Sequence, residues 1–185
     1  MRGNLKVLGI ESTAHTFSAS LVTERDGVLT NAKDVYLPPE GSGIHPAEAA
    51  EHHLSVAVRV VHEALERKSE RGSDIDDLDA VAYSMGPGLG PCLRVGAVTA
   101  RTLSLSTGKP LVAVNHAVGH IELGCLLTGA KTPLVLLISG GHTMVVAHSG
   151  GVWRVLGETL DLTLGQLLDQ MGRYVGFASP CGRKI

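Results

Sequence analysis

The chain has 185 residues and a formal net charge of −2 with histidine neutral; 18% of its residues are charged and 3% are aromatic. It has no run of five or six like charges and few aromatic side chains for base stacking, which argues against a nucleic-acid surface of its own. The three cysteines, Cys92, Cys125 and Cys181, are far apart with no Cys-x-x-Cys, a pattern of a reduced compartment. The first apolar stretch is interrupted by Glu11 and no run reaches the length of a membrane span, so a soluble cytoplasmic protein without membrane association is expected.

In chain order, Lys6 to Ile10, Ser18 to Thr23 and Gly27 to Tyr36 read as three short strands in a meander. A loop with Pro38 and Pro39 leads to a long helix opened by Pro46. Its apolar residues Ala47, Ala50, Leu54, Ala57, Val61 and Leu65 recur at a helical period, which predicts the buried stripe. Leu78 to Ser84 is a strand, Cys92 to Ser106 a small-residue helix, Leu111 to Val114 a strand, and Asn115 to about Leu127 a helix that Asn115 is placed to cap. Then come strands at Leu134 to Ile138, Thr143 to Ala147 and Val152 to Leu156, and a helix from Leu162 to Val175. Strands followed by helices, twice over, predict an α/β protein with one lobe over residues 1-130 and the start of a similar one over 131-185.

The most informative residues are His116 and His120 in Asn-His-Ala-Val-Gly-His-Ile-Glu. Four apart on a helix, both rings lie on one face and can close on one ion; the bland alternative is two half-exposed histidines. The positive end of the helix favours the neutral ring at His116 that a metal needs. Ser139, Gly140 and Gly141 form a turn whose backbone N–H groups could hold phosphate, or an ordinary glycine hairpin. Residues 9 to 16, with Glu11 and three hydroxyls, could face a nucleotide and its metal or cap their own turn. In Gly-Pro-Gly-Leu-Gly-Pro the glycines allow close backbone approach, but the P-loop pattern is missing. His45, His52 and His53 are expected to be solvated or partner-facing, with His53 at the flank of the helix's buried stripe and His52 on its far side.

Six segments, Gly-Ile-Glu-Ser-Thr-Ala-His-Thr, Gly-Ile-His-Pro-Ala-Glu, Gly-Pro-Gly-Leu-Gly-Pro-Cys, Asn-His-Ala-Val-Gly-His, Ile-Ser-Gly-Gly-His-Thr and Gly-Glu-Thr-Leu-Asp, occur in an order that resembles one family. It is the tRNA threonylcarbamoyladenosine synthase catalytic subunit, also called the glycoprotease or O-sialoglycoprotein endopeptidase family, in an archaeal-like form and over its N-terminal portion. The resemblance implies the actin-like ATPase fold, with ribonuclease-H-like lobes as in sugar kinases and heat-shock ATPases. The activity implied is transfer of the threonylcarbamoyl group from threonylcarbamoyl-AMP to N6 of adenosine 37 in tRNAs reading codons that begin with A.

By the same resemblance His116 and His120 hold one divalent metal ion, iron or zinc. Leu137, Ile138, Ser139, Gly140 and Gly141 bind the nucleotide, threonylcarbamoyl-AMP or ATP, with Asp169 at its ribose and Gly182 in the same pocket. On its helix Asp169 is expected opposite the stripe Leu164, Leu167, Leu168, Met171 and Val175, facing solvent or a cleft. Glu11 and His142 are weighed as proton carriers or as supporting residues. Leu137 stands where archaeal members carry a tyrosine ligand, and the family's third metal ligand, an Asp, lies beyond the matching part. Little transferase activity is therefore expected of these 185 residues unaided. Two other readings compete: a non-catalytic scaffold paralogue, which would lack the histidine pair, and a metallopeptidase, which would need His-Glu-x-x-His where Ala117 stands. The implied partners are tRNA, reached through the KEOPS assembly, its kinase-like ATPase and its other subunits.

Overall fold

The computed structural model describes residues 4–39, 43–66, 75–177, 181–182 and 184–185. Strands β1 (Lys6–Glu11), β2 (Thr16–Thr23), β3 (Gly27–Val35), β4 (Ala80–Gly86) and β5 (Leu111–Asn115) form one sheet in the order β3-β2-β1-β4-β5. β1, β2 and β3 pair antiparallel, whereas β4 joins β1, and β5 joins β4, in parallel. A parallel partner needs a crossover, and helices α1 (Pro46–Leu65) and α2 (Gly90–Thr107) supply two of them. In β2 the residues Phe17, Ala19 and Leu21 alternate inward and are buried against α1, as the period of a half-buried strand requires. The core adds Leu8 and Ile10 of β1, Val81 of β4, and Cys92, Val95 and Ala100 of α2.

α1 is turned relative to the stripe that its apolar spacing predicts. Its buried residues are Ala49, Ala50, His53, Ala57, Val60, Val61 and Ala64, while Leu54 and Val58 are 66% and 82% exposed. Alanines on the inner face let α1 lie close to the sheet and α2, and the ring of His53 takes the place in the core expected of leucine. His53 is 0% exposed and packs edge-on against Phe17. The expectation of a solvated or partner-facing His53 is therefore corrected: its ring is hydrogen-bonded inside the first unit.

The contacts divide the chain into a unit of Met1–Pro38 with Gly43–His116 and a second of Pro39–Ser42 with Ala117–Ile185, earlier than the division at 130 read from the element order. Most of α3 (His116–Thr128) goes with the second unit, where the Trp153 indole N–H donates to Glu122 of that helix at 2.7 Å. The second unit also holds an antiparallel sheet in the order β6-β7-β8, from Leu134–Ile138, Thr143–Ser149 and Val152–Glu158, and helix α4 (Leu164–Tyr174). α4 starts on a capping box, Thr163 with Gln166. Among the described residues, no helix is long and apolar enough to cross a membrane.

The approach of α2 to β1 depends on Gly96. A Cβ there would lie 2.1 Å from Ser12 Oγ and 3.0 Å from Ser12 Cβ. Gly96→Ala is expected to cost about 1–3 kcal/mol in chemical denaturation, and adding Ser12→Gly is expected to recover part of that loss. Additive effects of the two changes would contradict this packing.

Candidate functional site

The three parallel strands β1, β4 and β5 end together: Glu11 closes β1, Gly86 closes β4, and Asn115 closes β5 directly before His116. The carboxyl ends of parallel strands are where α/β proteins place ligands. Here the chain sets a carboxylate beside an imidazole, with Glu11 Oε2 3.0 Å from His116 Nδ1 and Thr13 Oγ1 3.4 Å from the same nitrogen. The other carboxylate oxygen of Glu11 accepts the Thr13 N–H at 2.6 Å. A ring that donates from Nδ1 to a carboxylate carries, in its neutral form, its lone pair on Nε2, and this is how metal-bound histidines are usually oriented.

Each residue of the turn after Glu11 is held by a different element. Ser12 lies against Gly96 of α2, and its N–H donates to Ser84 Oγ of β4 at 3.3 Å. The Thr13 carbonyl accepts the Leu89 N–H at 2.7 Å, an approach that Gly88 permits, since a Cβ there would sit 2.5 Å from that oxygen. The Ala14 carbonyl bonds His53 Nε2 of α1 at 2.9 Å, and the His15 carbonyl accepts the Tyr36 N–H at 2.7 Å. Of the glycines of residues 86 to 90, Gly88 thus serves close backbone approach, and the segment it approaches is Thr13.

His120 lies one turn beyond His116 on the same helix and is exposed. Among the described residues, no group of three or more His, Cys, Asp or Glu side chains converges as a metal cage.

In the second unit, Leu137 and Ile138 end β6 and pair with Met144 and Thr143. Ser139 Oγ accepts the N–H groups of Gly141 at 3.1 Å and His142 at 2.9 Å, so the turn is organised around its own hydroxyl. Thr163 Oγ1 donates to the Gly140 carbonyl at 3.1 Å, and the start of α4 rests on this turn because position 165 has no side chain; a Cβ there would lie 2.6 Å from the Ser139 carbonyl oxygen. Asp169 accepts the Cys181 N–H at 2.6 Å, beside Gly182.

The expected orientation of α4 is corrected accordingly. Gly165, Asp169 and the buried Gly172 share the packed face, Leu168 of the predicted stripe is half-buried, and Leu164, Leu167, Met171 and Val175 are exposed. Glycines seven apart give this helix a flat side on which the backbone can dock, and that decides the face over the leucine stripe.

The model of the family described as TsaD, tRNA N6-adenosine threonylcarbamoyltransferase, matches residues 27–185. The chain belongs to this family. It is 54% identical over 174 residues to the tRNA N6-adenosine threonylcarbamoyltransferase of Caldivirga maquilingensis, covering 94% of this chain and 51% of that protein. It is 51% identical over 176 residues to the protein of the same name from Thermofilum pendens, covering 95% of this chain and 51% of that one. A probable bifunctional tRNA threonylcarbamoyladenosine biosynthesis protein of Thermoplasma volcanium is 47% identical over 179 residues, covering 97% of this chain and 33% of that protein. The chain thus spans about half the length of the first two relatives.

Among solved structures, YeaZ from Pseudomonas aeruginosa superposes with TM-score 0.55 at 18% identity, covering 84% of this chain and 66% of that one. The ethanolamine utilization protein EutJ from Carboxydothermus hydrogenoformans gives 0.51 at 15% identity, with 91% and 56% covered. At such identity the likeness concerns the fold alone, the actin-like ATPase fold.

Thr13 is the one of the three hydroxyls, equivalent in the sequence, that reaches His116. The signal that singles it out is the parallel register of β1, β4 and β5, which sequence periodicity does not give. Glu11 contacts the His116 ring and the Thr13 N–H. Burial alone would raise its pKa, but hydrogen bonds from His116 and Thr13 outweigh that and hold it at about 2, below the ordinary 4.5.

The folded protein therefore binds this proton less tightly than the unfolded chain. The stabilisation is complete above pH 4.5 and is lost as pH falls towards 2. Glu11→Gln is expected to lower stability at neutral pH and to flatten the acid limb of a stability–pH profile in that window. Parallel profiles for the variant and the wild type would contradict the assignment.

Proposed function

We propose that this chain supplies the metal-holding helix and the adenylate-binding turn of an enzyme that transfers threonylcarbamoyl from threonylcarbamoyl-AMP to N6 of adenosine 37 in tRNA. The observation that carries the reading is the Glu11 contact to His116 Nδ1 at the carboxyl ends of the parallel strands. The donor chemistry fits: two imidazoles four apart, one with its far nitrogen held by a carboxylate, suit zinc or iron. His116 and His120 would hold the ion, and the chemistry it supplies there is Lewis-acid polarisation of an acyl carbonyl.

The remaining roles fall to this chain's own residues. Glu11 and Thr13 fix the tautomer and direction of His116. Gly140 and Gly141 leave the turn without bulky side chains, so that a phosphate would replace Ser139 Oγ at the N–H groups of Gly141 and His142, Leu137 and Ile138 set that turn on its strand, and Asp169 with Gly182 offers acceptor and backbone groups to a ribose. In that transfer the N6 amine attacks the carbamoyl carbon, the bond from that carbon to the phosphate oxygen breaks, AMP departs, and N6 loses a proton. His142 stands beside the turn as the nearest titratable side chain in sequence for that proton.

Activity is assigned to the longer arrangement of the relatives, in the cytoplasm. Two observations support this: the chain spans about half of those relatives, and its second unit exposes apolar rows, Leu134, Leu136 and Ile138 on β6 and Leu164, Leu167 and Met171 on α4. With a net charge of −2, affinity for tRNA phosphates would come largely from partner subunits, a kinase-like ATPase and other members of a KEOPS-type complex.

The test uses protein of the relatives' full length with its partner subunits. His116→Ala and His120→Ala are each expected to abolish bound iron or zinc and to lower transfer from threonylcarbamoyl-AMP at least about 100-fold, while Glu11→Gln is expected to weaken metal binding about 10–100-fold. Unchanged metal content and unchanged transfer in both histidine variants would overturn the reading and favour a non-catalytic scaffold.

A further inference from the structure

Beside the site, α1 carries a chain of polar contacts that the proposed reaction does not use. His53 Nε2 lies 2.9 Å from the Ala14 carbonyl oxygen, His53 Nδ1 lies 3.2 Å from His52 Nδ1, and His52 Nε2 lies 2.8 Å from Asp34 Oδ1. Asp34 is also ion-paired with Arg59, which in turn reaches Glu63. We propose that His52 and His53 form a proton-sharing pair carrying one positive charge, with the charge on His52 and a neutral His53, and that this pair positions the turn bearing Glu11 and Thr13.

A carbonyl oxygen only accepts, so His53 Nε2 carries a proton. A carboxylate paired with arginine only accepts, so His52 Nε2 carries one as well. The contact between the two Nδ1 atoms needs a third. Two neutral imidazoles hold two hydrogens, so the pair bears a unit charge.

Its location follows from surroundings. His53 is fully buried against Phe17, with its polar contacts made to a carbonyl and to the other ring. The His52 side chain is 20% exposed and touches Asp34 directly. Burial lowers the pKa of His53, and His52 and Arg59 hold that of Asp34 below its ordinary value, both in keeping with this placement. His52 Nδ1 therefore donates to His53 Nδ1.

The charged and titratable groups facing the pair are Asp34 and Tyr36 from the β3 side, Glu48, Arg59 and Glu63 on α1, and His15 and Glu11 across the turn. Of the contacts that hold residues 12 to 15, those made by Ser84, Leu89 and Tyr36 use a hydroxyl or a backbone N–H, those at Thr13 also use Glu11 and His116 of the site itself, and the contact to Ala14 uses a buried ring outside it. A second proton on the pair would put a cation in the buried ring facing the His52 N–H. Because the folded-state pKa of His53 lies below its ordinary 6.5, the stability it gives is complete above that pH and is lost as pH falls. The proton assignment stands apart from the proposed transfer; only the use of the turn in catalysis rests on that reading.

The test is long-range nitrogen–proton NMR of the whole chain labelled at histidine nitrogens. At neutral pH His52 is expected with both nitrogens protonated and His53 with Nε2 protonated and Nδ1 bare. Two neutral rings, or a doubly protonated His53, would overturn the assignment. Asp34→Asn is expected to drive His52 to the neutral form, and unchanged His52 signals would overturn the role of the carboxylate.

For positioning, His53→Leu is expected to lower amide-exchange protection at Thr13 and Ala14 about tenfold, and His53→Gln, which keeps a donor for Ala14, is expected to restore it. Equal protection in the leucine variant and the wild type would overturn positioning. Should the leucine variant fail to fold, loss of protection in His53→Gln would overturn it instead. Failure of the nitrogen spectra leaves the transferase reading intact, and loss of the transferase reading leaves the spectra unchanged.

Discussion

A carboxylate at the end of one parallel strand reaching the ring that begins the helix after another is the constraint on which the first unit is built. Glu11 can meet His116 because β4 lies between their strands in parallel register and both strands end on the same side. That contact would mean little if the turn after Glu11 could move, and the fold holds it at each residue. Glycines at 88 and 96 bring α2 and its leading loop against Thr13 and Ser12, and α1 and Tyr36, just after β3, hold Ala14 and His15. The cost is visible in Ser12, whose buried Oγ has no partner among the described residues.

Much of this was legible in the sequence. The order of elements followed from periodicity and turn residues, and the bounds of β6, read as Leu134 to Ile138, agree with the structure. Pro46 opens α1, and glycine lies beyond the end of α2 in the left-handed conformation that ends helices. The pair His116 and His120 was readable because a spacing of four on a helix is a property of sequence.

What was not legible depended on neighbours far away in the chain. The inner face of α1 could not be read from its apolar residues because a hydrogen-bonded histidine, satisfied by the Ala14 carbonyl and by His52, outcompeted Leu54 for the core. The packed face of α4 is hidden from its apolar pattern for a related reason. Hydrophobic periodicity weighs side chains, whereas Gly165 and Gly172 act by having none, and their close approach to Ser139 and Cys181 sets the helix. The sequence leaves the turn at 139–141 open between a phosphate-holding bend and an ordinary glycine hairpin, and Ser139 Oγ engages the N–H groups of Gly141 and His142. An anion arriving there would meet an ordered turn in which a hydroxyl marks the position of an acceptor.

The central claim is that Glu11 and His116 act as one unit, and a double-mutant cycle on the metal-free protein tests it most directly. Chemical denaturation of Glu11→Gln, His116→Gln and the double variant is expected to give a coupling above about 1 kcal/mol, the size of a charge-assisted hydrogen bond. Changes that add to within about 0.5 kcal/mol would contradict the account.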